Sequence, residues 1–159
     1  MNTRTAVFFY LLSLFLGLFL QIFVRNIFFT YSPNFLLLLV IYVALSRGAI
    51  AGEFFGFSSG VLSDIFSLNP FGTQAFLFTL IGYLAGRQTG KIDFEKPLAQ
   101  VILVFLSSFI YFLGFSLITL LFAYGQKKVY FLPELLLNIF FAIPFFWLLS
   151  IWRNLWRQK

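Results

Sequence analysis

Four glycines stand four residues apart in RGAIAGEFFGFSSGVLSD: Gly48, Gly52, Gly56 and Gly60, with Asp64 next in the series. If the segment is helical, all five positions share one face. That face is nearly bare backbone, while Ile50, Phe54, Phe55, Phe57, Val61 and Leu62 between them are bulky and apolar. In water, four glycines would weaken a helix by roughly 3 to 4 kcal/mol relative to alanine, so the surroundings must compensate. A bilayer does so in two ways. It penalises unpaired backbone groups, and small residues at this spacing let helix axes approach until dispersion holds them together. The stripe therefore predicts a helix-packing seam; a transported molecule lying against it is the second reading.

Composition points the same way. With 61% hydrophobic residues and 26 Phe in 159 positions, and a mean hydropathy of +0.96, the apolar side chains far exceed what so small an interior can hide from water. We expect an all-α, polytopic membrane protein forming a single domain over residues 1–159. The absence of Cys and His removes disulfides, thiol catalysis, imidazole bases and the usual zinc or haem sites, so no cofactor is expected. A net charge of +6 would suggest nucleic acid in a soluble protein. Here the basic residues flank long uncharged runs and read as topology signals instead.

Six spans are predicted, at about 5–24, 33–46, 49–66, 74–86, 98–123 and 133–152. The first is an uncharged run of 20 residues between Arg4 and Arg25, enough to cross a hydrocarbon core of about 30 Å; without a convincing small-residue cleavage site it reads as an uncleaved helix. The second is short and Leu-rich. Either it begins at Pro33, which tolerates a first helical turn, or a tilted helix begins earlier and bends there. Arg47 and Gly48 turn the chain into the glycine-striped third span. Pro70 and Gly72 form the next turn, and Gly82, Gly86 and Gly90 repeat the four-residue spacing at the end of the fourth span, where Gly90 is a candidate cap. The segment RQTGKIDFEK reads as a solvent-facing loop or a docking surface, and Pro144 should bend the last span.

Six spans put both termini on one side. With that side cytoplasmic, Arg4, Arg47, Arg87, Lys91, Lys96, Arg153, Arg157 and Lys159 are inside and Arg25, Lys127 and Lys128 outside, eight against three, as the positive-inside rule requires. Polar groups at membrane depth are few. Glu53 could face Arg47 across the turn, or a lipid headgroup. Asp64 could accept from Asn69, Gln74 or Arg25, since a carboxylate at hydrocarbon depth needs a partner. Asn34 could satisfy an early helix amide or an adjacent span, and Glu134 with Asn138 gives the sixth span a polar face suited to another subunit. No nucleophile has a base nearby in sequence, so an enzyme is not expected.

The chain resembles the bacterial MreD family of rod shape-determining proteins along essentially its whole length. The resemblance is carried by Pro33–Asn34 opening a Leu-rich span, Arg47–Gly48, then Gly52, Gly56, Gly60 and Asp64, the Asn69–Pro70–Phe71–Gly72 turn, and Gly82–Tyr83–Leu84–Ala85–Gly86. The family commonly carries Pro-Asp where this chain has Pro33–Asn34, so an amide hydrogen-bonding role carries over there and a negative charge does not. The resemblance implies a non-enzymatic scaffold of the cell-wall elongation complex in the inner membrane. Its implied partners are MreC, MreB, and the polymerase RodA with its transpeptidase, besides membrane lipids; no nucleic acid is implied. It also implies a six-helix bundle similar to the substrate-binding membrane subunits of energy-coupling-factor transporters. The alternative is therefore a small-molecule binding or transport subunit in which Glu53 or Asp64 lines a cavity; a lipid-handling protein with a Phe-rich surface is a third possibility.

Overall fold

A computed structural model describes residues 3–28, 31–67, 70–93, 96–122 and 131–157. Six helices follow one another: α1 (Thr3–Phe28), α2 (Phe35–Arg47), α3 (Ala49–Ile65), α4 (Thr73–Gly86), α5 (Pro97–Leu121) and α6 (Phe131–Arg157). Helices α1, α5 and α6 contain apolar windows long enough to cross a membrane, whereas α2 and α4 are shorter apolar helices. The chain is a polytopic, all-α membrane protein.

The bundle is built around α2. All eleven residues from Phe35 to Leu45 are buried, and each of the other five helices contacts α2. A helix apolar on every side has no solvent face and belongs at a centre. At 13 residues it is only about 20 Å long, short for a bilayer, but the surrounding helices shield it from lipid.

Burial makes the ends of α2 demanding, because the first amides of a helix lack intrahelical acceptors. The helix starts after Pro33, with Asn34 as its cap. The Asn34 side-chain oxygen accepts from the Leu37 amide at 3.0 Å, and Gln21 on α1 accepts from the Leu36 amide at 3.1 Å. At the other end, Gly48 closes α2 and opens α3 with φ 92°, a left-handed value that glycine adopts without a side-chain clash. This one-residue corner sets α2 and α3 side by side. The outer helices turn large apolar groups outward, among them Phe15, Phe19, Phe54, Phe76, Leu117 and Phe140.

Candidate functional site

The closest packing lies between α3 and α4, and it is backbone on backbone. A Cβ on Gly52 would run into the carbonyl of Gly82, one on Gly56 into the carbonyl of Phe78, and one on Gly60 into the backbone of Ala75. From the α4 side, Gly82 meets the carbonyl of Gly52, and a Cβ on Gly86 would lie 2.5 Å from the Cα of Ala49. The pairs 52/82, 56/78 and 60/75 step along two antiparallel helices one turn at a time. The glycine face of α3 is thus filled by α4, which leaves no groove along it for a foreign helix or a transported molecule. Gly48 differs: a Cβ there would meet nothing within 4 Å, and its requirement is the positive φ of the corner. Gly90 likewise has φ 76° and lies beyond the end of α4.

One turn past Gly60, Asp64 continues the stripe to the end of the bundle opposite the termini. Its buried carboxylate accepts three backbone amides of the α4 start, from Gly72, Gln74 and Ala75, each at 3.0 Å. Carboxylates are favoured at helix N-termini because the amides there point outward and carry partial positive charge. Of the partners expected for Asp64, the structure supplies Gln74, through its backbone amide, with Gly72 and Ala75 beside it. Gln74 turns its own side-chain oxygen to the Tyr111 hydroxyl of α5, at 2.9 Å. Asn69 lies outside the described residues.

Beside this cap, at the same end, Asn138 of α6 joins three helices. Its Oδ1 accepts from the Asn34 amide at 2.7 Å, and its Nδ2 donates to Ser108 of α5 at 3.1 Å. Asn34, Ser108, Tyr111, Glu134 and Asn138 line a small cleft between α5 and α6. Its aromatic wall includes Phe112 and Phe131, whose ring centroids are 4.2 Å apart. The cleft has room for about one water molecule. Glu134 is half-buried at its edge and within electrostatic reach of Arg25.

At the end that carries the termini, Glu53 and Arg47 do not pair. Arg47 instead donates from Nε to the Tyr10 hydroxyl of α1 at 2.8 Å and lies 5.4 Å from the centre of that ring. Glu53 is half-buried.

The residues that sequence reasoning missed are those whose partners come from distant segments. Gln21 meets the Leu36 amide 15 positions on, and Tyr111 meets Gln74 37 positions back, spacings that no local pattern marks. The Ser107–Ser108 pair, a polar interruption in the apolar α5, was the available signal for Ser108. Chemically, the site holds helices together through hydrogen bonds and presents one carboxylate, Glu134, beside a narrow cleft.

Comparison with curated proteins and with solved structures returns no significant match. The family model described as rod shape-determining protein MreD matches residues 2–155. With nearly the whole chain covered, this protein belongs to the MreD family, non-catalytic membrane components of the machinery that elongates the bacterial cell wall.

Proposed function

We propose that this chain is a membrane scaffold of the elongation complex that binds MreC and helps to position peptidoglycan synthesis by RodA and its transpeptidase in register with MreB. In this reading all six helices cross the inner membrane and both termini are cytoplasmic. The observation that carries it is the backbone-to-backbone seam between α3 and α4. Helices locked this closely resist shear, so the bundle offers a fixed shape to a partner's membrane helix. In lipid, such recognition rests on complementary packing and a few polar contacts rather than on a hydrophobic gain. Because α4 occupies the glycine face, the partner meets the outer surface, and Glu134 at the α5–α6 cleft is the polar contact we assign to it.

The test is co-purification of MreC at matched protein levels. Gly56→Leu should reduce capture by distorting the bundle, and Glu134→Gln should reduce capture with the thermal midpoint unchanged. Unaltered capture and cell shape with both variants would overturn the proposal.

The convergent polar groups of the cleft support a second reading, a small-molecule subunit on a bundle similar to the binding subunits of energy-coupling-factor transporters. Pockets for drug-sized ligands are typically about 300–1,000 Å³, whereas this cleft accommodates about one water. A ligand retained through purification, or a transporter ATPase recovered with the protein, would favour it.

A further inference from the structure

The end of the bundle that carries the termini gathers Arg47, Arg87, Lys91, Lys96 and Arg153. Most of these cations are accounted for locally. Lys96 pairs with Asp93 at 3.4 Å, Arg87 lies 5.8 Å from the centre of the Tyr83 ring, and Lys91 is exposed. Arg153 of α6 is different. It is half-buried against the last turns of α2, its guanidinium 5.8 Å from the centre of the Tyr42 ring and its Nη1 at 3.5 Å from the Ser46 hydroxyl, the outer limit of a hydrogen bond. Its Nε is buried and has no hydrogen-bond acceptor among the described residues.

Arg47, the residue after Ser46 on α2, is a second guanidinium at this end of the bundle. Arg47 donates its Nε to the Tyr10 hydroxyl and lies over that ring, which holds a side chain that is otherwise exposed. Neither arginine has a carboxylate within ion-pair distance among the described residues. Two positive charges are thus held on aromatic faces at the end of the central helix, one with a buried donor. Leaving such a donor without an acceptor is costly.

The depth in the membrane identifies the ligand. Trp147, Leu148 and Ile151 of α6 present exposed apolar surface within the two turns before Arg153, which puts the guanidinium where acyl chains give way to headgroups. A guanidinium is a planar fork that matches two phosphate oxygens at once, and anionic lipids concentrate near juxtamembrane basic groups. We propose that Arg153, seconded by Arg47, binds the phosphate of an anionic phospholipid headgroup at the terminal end of α2.

The experiment titrates the purified full-length protein in detergent with dioleoylphosphatidylglycerol, dioleoylphosphatidylcholine or inorganic phosphate, following the thermal unfolding midpoint. The anionic lipid should raise the midpoint by about 3–6 °C more than the zwitterionic one, and inorganic phosphate should not reproduce the rise. Arg153→Gln should weaken half-saturation by roughly tenfold, the loss of one charge-assisted hydrogen-bonding group. Arg47→Gln and Arg153→Lys should weaken it by roughly threefold or more, and Lys96→Gln should leave it unchanged. Should Arg153→Gln fail to fold, Arg47→Gln and Arg153→Lys carry the test, and wild-type half-saturation in both would overturn the site. Equal shifts from the two lipids would also overturn it, and a full shift from phosphate alone would replace the lipid by a free anion.

Discussion

Gly52 and Gly82 lie backbone against backbone, each carbonyl filling the space where the other's side chain would stand. A methyl group added there cannot rotate away, and the atoms it meets cannot either, so a helix must move. Gly56→Ala, which meets the Phe78 carbonyl, should therefore lower stability by about 1–3 kcal/mol, despite a helix-propensity gain of up to about 1 kcal/mol. Gly114→Ala is the control. The atoms nearest its Cβ belong to the side chain of Leu77, whose rotamers can yield, and the change should lie within about 1 kcal/mol of neutral. Unfolding of the two purified variants in mixed micelles decides it: equal stabilities would mean that the seam is not rigid.

Asp64→Asn keeps the size of the side chain but replaces one acceptor oxygen with a donor. Three amides converge on the carboxylate, so at least one of them must then face an NH2 group. We expect a loss of about 1.5–3 kcal/mol, the range for hydrogen bonds to a charged acceptor. Hydrogen exchange should accelerate first at Gly72, Gln74 and Ala75. Exchange at those three amides matching the wild type would show that the start of α4 is held by something other than Asp64.

What was legible in the sequence depended on how local its cause is. The four-residue glycine spacing defines a face on one helix, and Gly52, Gly56 and Gly60 stand on the α4 side of α3. Pro33 disfavours helical continuation from before it, and α2 starts just beyond. The central position of α2 was less legible, because a helix apolar all round has no periodicity to say which side is inward. The unbroken Leu-rich run was the clue. Asn34 and Asn138 are 104 positions apart, and no local pattern joins them. Nor does spacing reveal that Arg47 turns to Tyr10, 37 residues upstream, instead of to Glu53: that choice is made by α1 packing against α2.

The charge distribution predicts an orientation. Arg47, Arg87, Lys91, Lys96 and Arg153 lie at the end that carries the termini, whereas Arg25 lies in the last turn of α1 at the other end. Basic residues are retained on the cytoplasmic side, so reporters fused to either terminus should report the cytoplasm. A cysteine introduced at Thr89 should be reachable only by permeant thiol reagents, and one at Phe71 by impermeant reagents added outside. The reverse labelling would invert the topology.

Asn138 bonds both the start of α2 and the middle of α5, which makes its removal informative about how the two halves of the bundle are joined. Asn138→Leu retains volume but strips the Asn34 amide of its acceptor and Ser108 of its donor. Each group left unpaired costs about 1–3 kcal/mol, so the variant should lose about 2–6 kcal/mol. Ser108→Ala alone removes a weaker partner and should cost less. In the double variant the serine no longer needs a donor, so the combined loss should fall short of the sum by at least about 0.5 kcal/mol, as for residues in one hydrogen-bond network. A purely additive cycle would mean that Asn138 and Ser108 act independently, and that α5 and α6 are held at this end by ring packing such as Phe112 against Phe131.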